Sequence, residues 1–224
     1  TLLAFTILAP VALAEGSTAR DLWPLSADNE WDYLVTNPSQ PNQKGYQVTI
    51  EVTRTARGWS RVSGFLGENW IWASQRTGRV WLWDSSTFRF YPLFDLGLPT
   101  GSQFTVNMPS ASCFHGTLWK VADRNATVDT SAGSFENCVR IEIVQNACSD
   151  AGMSSITFAP GVGIVEYRFN SIAGQQVASL LRATVDGTTY EAQVWVDGFA
   201  GQDPSLYEYF GVDRNSLPSI TDRQ

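Results

Sequence analysis

Between Gly45 and Thr55 the chain alternates, with Tyr46, Val48, Ile50 and Val52 on one side and polar residues between them. A period of two marks a half-buried strand. ENWIWAS and GRVWLWDS flank SQRTG, which predicts a hairpin whose Gly78 supplies a positive φ. FRFYPLFDL, SQFTVNM, GTLWKVADR and ATVDTSAG follow as short apolar-rich runs. Alternation returns in SFENCVRIEIVQN, where Phe135, Val139, Ile141 and Ile143 point one way, Arg140 and Glu142 the other. SSITFA leads through the turn Pro160-Gly161-Val162-Gly163 into IVEYRFNSI. QVASLLRATV and TTYEAQVWV are joined by Asp186-Gly187, the strongest hairpin signal in the chain.

Roughly ten to twelve strands at a spacing of about 8–14 residues predict an all-β chain. Consecutive hairpins with one apolar face predict a strongly curved antiparallel meander, rolled into an open or closed barrel. A single β domain is expected over 23–198, preceded by a polar linker at 15–22. A tail at 199–224 follows, in which DPSLYEYFG could form a short helix, capped by Asp203, with Pro204 in its first turn and Gly211 at its end.

The first fourteen residues, TLLAFTILAPVALA, carry no charge and close on the small residues Ala12 and Ala14. This pattern predicts a secretory signal peptide at 1–14, cut before Glu15, in a chain that begins inside its reading frame. A buried N-terminal strand or helix is the competing reading. Glu15 stands where a lipoprotein would need cysteine, and no later stretch is long and apolar enough to predict a transmembrane segment. The chain is therefore expected to be exported, to the periplasm or beyond.

Of the 224 residues, 43% are hydrophobic and 17% charged, which is ample for a core. A net charge of −7 argues against nucleic acid and against electrostatic docking to anionic lipid. A neutral or apolar ligand fits this balance, as does a protein partner. Cys113, Cys138 and Cys148 are the three cysteines, and an exported chain is expected to pair two of them. Cys113–Cys148 is the favoured pairing, because Cys138 sits inside a strand-like run. One histidine and no C-x-x-C leave little for a metal, and no metal or cofactor is expected.

No catalytic constellation stands out. His115 would have to serve any triad, and SASCFHGTLW shows no nucleophile elbow. Cys113 and His115 would share a strand face and could form a thiol–imidazole pair, against the plainer reading of a disulfide cysteine beside a surface histidine. No glycine-rich phosphate loop enters a helix. No two carboxylates are marked out for glycoside hydrolysis.

The aromatic residues are more informative. Trp70 and Trp72 are two apart, as are Trp81 and Trp83, so each pair shares a strand face and the four indoles can assemble across the hairpin. They are either core residues or the wall of a concave cavity for an apolar ligand. Ile71, Val80 and Leu82 make the opposite face apolar as well.

Trp23-Pro24-Leu25 with Asn29-Glu30-Trp31-Asp32-Tyr33 resembles the PL-x-x-G-N-x-W-x-Y opening of uncharacterised exported bacterial proteins. Phe94-Asp95-Leu96 with Gly101, Ala132 to Cys138 (A-G-T-F-x-x-C) and Ala159 to Val165 (A-P-G-V-G-x-V) resemble their later motifs, in the same order. Asp28 stands where the opening motif has glycine, a position where a positive φ would be tolerated by Asp less well than by Gly. The resemblance implies export and a curved antiparallel sheet similar to lipoprotein-carrier or lipocalin folds, with no activity attached. It implies structural roles for Trp31 and Tyr33 as core anchors, for Gly133, Gly161 and Gly163 at tight turns, and for Phe135 and Pro160 beside them. Some relatives add a proteinase-inhibitor-like module.

Three function classes follow. The first is a non-catalytic envelope module holding a small apolar or amphipathic ligand on its aromatic sheet face. The second is an interaction or inhibitor module for an extracellular protein, and the third a carbohydrate-binding module or glycosidase.

Overall fold

The computed structural model describes residues 17–108, 115–146, 152–171 and 174–191. One helical turn, α1 (Ala19–Leu22), precedes thirteen strands. These are β1 (Glu30–Thr36), β2 (Tyr46–Ala56), β3 (Trp59–Ser63), β4 (Asn69–Ala73), β5 (Arg79–Asp84), β6 (Arg89–Asp95) and β7 (Gln103–Val106). The rest are β8 (Thr117–Thr130), β9 (Gly133–Gln145), β10 (Gly152–Ala159), β11 (Gly163–Ser171), β12 (Gly174–Val185) and β13 (Thr188–Glu191). All ladders are antiparallel, and the strand order is β6-β5-β4-β3-β2-β1-β12-β11-β10-β9-β8-β7, with β13 beside β12. Two six-stranded meanders thus join through β1 and β12, and curl until β6 and β7 face one another as a nearly closed barrel.

The seam between β6 and β7 has no ladder among the described residues. Arg124 of β8 bridges it by donating through Nη1 to the carbonyls of Leu96 at 2.5 Å and Leu98 at 3.1 Å. Pro92 is tolerated in β6 because an edge strand does not need every N–H.

Alternation decides which side chains enter the barrel, and aromatic rings fill its centre. Trp23 meets Phe65 at 5.2 Å and Phe158 at 5.9 Å, while Phe94 meets Phe158 at 5.8 Å and Trp119 at 5.7 Å. All five rings are buried. Where these rings meet, the interior is packed as a core.

The residues of the N-terminal motif converge on the turn between β10 and β11. Trp31 Nε1 donates to Val162 O at 2.6 Å, and Tyr33 Oη donates to Ile164 O at 2.8 Å. Gly163, at φ 112°, lies so close to the Trp31 ring that a Cβ would stand 3.0 Å from Nε1. Gly161, following Pro160, has φ 73° and donates its N–H to Asp21 O at 2.7 Å. Asp28 does adopt the positive φ its position asks for, at 66°. Asn29 beside it is buried and ties Pro24 O to the Asp186 amide. Gly133 (φ 137°) ends the β8–β9 turn, whose Ala132 amide reaches Leu180 O, and Phe135 packs on Tyr190. Asp186 and Gly187 form the expected tight hairpin, with φ of 48° and 80°.

Several expectations need correction. Gly78 is absent from the positive-φ positions; its backbone instead lies against Gly97, where no Cβ would fit. The residues read as a linker include a capped turn: Thr18 Oγ1 accepts from the Asp21 amide while Asp21 Oδ2 accepts from Thr18, and Ala19 and Leu22 are buried. The two runs read at 116–124 and 126–133 are one long strand, β8, kept continuous by bulges. β3 has no counterpart among the runs that alternation predicts. The expected signal peptide, the expected C-terminal helix and the cysteines Cys113 and Cys148 lie outside the described residues.

Cys138 is a buried free thiol, so no disulfide is found among the described residues. Burial pushes its pKa up to about 11, opposed in part by Arg140. Burial likewise pushes Tyr167 up to about 12, and Tyr33 well above the usual tyrosine range. The folded state therefore keeps protons that the unfolded chain releases, and the stability gained is complete below the unfolded values and lost as pH rises through the folded ones. The urea midpoint should accordingly fall between pH 9 and pH 11, and Cys138 should react with a maleimide only after denaturation. A midpoint that is flat across that range, or rapid labelling of Cys138 itself in the native protein, would contradict this account.

Candidate functional site

The indoles singled out from the sequence do assemble. Trp70 lies opposite Trp83, and Trp72 opposite Trp81, in the β4–β5 ladder. Their face is the outer one, which corrects the expectation of a concave aromatic wall. Ile71, Val80 and Leu82 enter the core, while the tryptophans are half-buried on the outside. Both faces of this hairpin are apolar, and the interior takes the branched aliphatics because the ring cluster around Phe94 already fills its centre.

Further aromatic rings extend the patch. Trp59 at the start of β3 lies 6.2 Å from Trp72 and stacks on Phe90 of β6 at 4.7 Å, so these two rings meet across β4 and β5. Phe90 also touches Trp83 at 4.7 Å. Phe88, in the β5–β6 turn, leans edge-on toward Trp83 at 6.4 Å and is 77% exposed. It holds φ 53°, a conformation that bulky side chains avoid. The turn is held locally, since buried Asp84 accepts from Ser86 N, Ser86 Oγ and Thr87 Oγ1 at 2.7–2.9 Å. Large exposed apolar patches on a folded chain mark interaction surfaces. Sequence reasoning missed Trp59 because its strand is short and turns a serine inward, so W-S-R-V-S shows no clean alternation of apolar and polar residues.

An open groove of about 320 Å³ borders this face. It is lined by Arg20, Leu25–Ala27, the β2–β3 turn with Arg57 and Gly58, and Ala73 at the end of β4. His115 is exposed. Among the described residues no group of three His, Cys, Asp or Glu side chains could hold a metal ion, and no helix is long and apolar enough to cross a membrane.

No protein-family model and no curated protein matches the chain. Two solved structures show a distant similarity. A candidate exported protein with a YmcC-like fold from Bacteroides fragilis NCTC 9343 is 10% identical with a TM-score of 0.39, over 71% of this chain and 96% of its own. A candidate lipoprotein from Parabacteroides distasonis ATCC 8503 is 12% identical with a TM-score of 0.36, over the same 71% and 96%. Scores of this size leave both as resemblances of shape.

Proposed function

We propose that this chain is an exported, non-catalytic envelope module that takes an apolar or amphipathic ligand on its outer aromatic face. The apolar leader-like segment and the motif resemblance support export. The observation that carries the binding reading is the aromatic patch of β3–β6, which lies outside the buried ring cluster at the barrel's centre. A carrier that encloses its ligand needs an empty interior, and here Trp23, Phe94, Trp119 and Phe158 occupy it. Ligand contact then falls to Trp59, Trp72, Trp83, Phe88 and Phe90.

Titration with monomeric dodecyl maltoside, followed by tryptophan emission, tests the reading. Binding should shift the emission, and the Trp72→Ser/Trp83→Ser double variant should bind about tenfold more weakly, roughly 1.4 kcal/mol, with an unchanged far-ultraviolet dichroism spectrum. No shift in the wild type, or equal affinity in the double variant, would count against it.

A further inference from the structure

The groove beside the aromatic face departs from the acidic character of the chain. Its two guanidinium groups come from separate elements, Arg20 from α1 and Arg57 from the β2–β3 turn. Among the described residues neither takes part in an ion pair, although the chain carries a net charge of −7. The neighbouring acid Asp21 is engaged elsewhere, its Oδ2 accepting from Thr18 N and Oγ1 at 2.8 Å each. Two unpaired cations on one concave surface raise the local potential and attract an anion.

The backbone gives an independent reason to single out Arg57. Arg57 and Gly58 have φ of 52° and 82°, the pattern of a two-residue hairpin turn with both residues left-handed. That first seat favours Asn, Asp or Gly, and arginine there is strained. Backbone outliers of this kind cluster at binding sites, which singles out the Arg57 side chain as a candidate contact. The groove also shares an edge with the aromatic patch, because a Cβ on Gly58 would stand 3.9 Å from Trp72 Nε1.

We propose that the groove seats the head of an amphipathic anion, with a carboxylate or phosphate between Arg20 and Arg57 and the apolar part passing Gly58 onto Trp72 and Trp59. The proposal rests on the aromatic-face reading and adds the charge and chemical class of its ligand. Guanidinium suits both oxyanions, since its planar fork donates two parallel hydrogen bonds.

The test compares laurate, dodecyl phosphate and neutral dodecyl maltoside, all as monomers at low salt, with inorganic phosphate alone, by calorimetry on the full chain. The anionic amphiphiles should bind about tenfold more tightly than the maltoside. Arg20→Gln/Arg57→Gln should erase that preference and leave maltoside affinity unchanged. Arg57→Lys, which keeps the charge in the same turn, should retain most of it. An anion preference that survives the double glutamine variant overturns the groove assignment and leaves the aromatic face standing. Inorganic phosphate binding as tightly as dodecyl phosphate overturns the amphiphile assignment in favour of a small anion. Failure of every amphiphile to bind sinks the aromatic-face reading and this proposal together.

Discussion

Replacing Trp31 with alanine should destabilise the barrel by about 3–5 kcal/mol, read as a lower denaturant midpoint at unchanged slope. The indole is fully buried, so its loss removes a large apolar area and leaves a cavity that neighbouring strands fill only in part. It also removes the donor to Val162 O at 2.6 Å, leaving that carbonyl without this partner. The contact matters beyond its own area because Trp31 and Val162 lie far apart in sequence and join the first strand to the β10–β11 turn. Trp31→Phe keeps one aromatic ring but loses the hydrogen bond and part of the indole volume, so it should cost less than the alanine variant, about 1–3 kcal/mol. A loss below about 1 kcal/mol for the alanine variant would show that the motif residues do not clamp the barrel in this way.

Much of this architecture was legible in the sequence because period-two patterning survives wherever one strand face is core. Ile50 and Val52, Val139 and Ile141, and the Asp186-Gly187 turn all fall as the pattern predicts. What pattern could not give was the direction of the β4–β5 hairpin. With tryptophans on one face and branched aliphatics on the other, a period of two separates the faces without saying which turns inward. That choice is made by distant residues, Phe94, Trp119 and Phe158, which occupy the centre from other strands. The short capped turn at Thr18 was hidden for a related reason. Its four residues are too few for periodicity, and the buried Ala19 and Leu22 are recognisable only once the end of the barrel they cover is known. The groove was illegible too, since Arg20 and Arg57 come together only through folding.

The second large effect is expected at Gly78, where the sequence suggested a turn glycine and the structure shows a close approach of backbones. A Cβ on Gly78 would stand 1.8 Å from Gly97 N and 2.2 Å from Gly97 Cα, and a main chain cannot swing aside as a flexible side chain would. Gly78→Ala must therefore push the start of β5 away from the residues that follow β6, at a cost of about 3 kcal/mol or more. The displacement falls on a vulnerable part of the barrel. Gly78 O accepts from Leu96 N at 2.7 Å, and Leu96 O in turn accepts from Arg124 across the seam. Moving Leu96 loosens the bridge between β6 and β8 where no ladder stands in reserve, so amide exchange in β6 and β7 should rise before that in β1 and β12. Gly97→Ala provides the control, because a Cβ there would meet Gly78 at 3.0 Å, a milder contact that a small shift relieves. The two alanine variants should therefore differ clearly in denaturant midpoint, with Gly78→Ala the lower. Equal midpoints, or exchange that rises evenly around the barrel, would mean that the β6–β7 seam is not held through this pair of glycines.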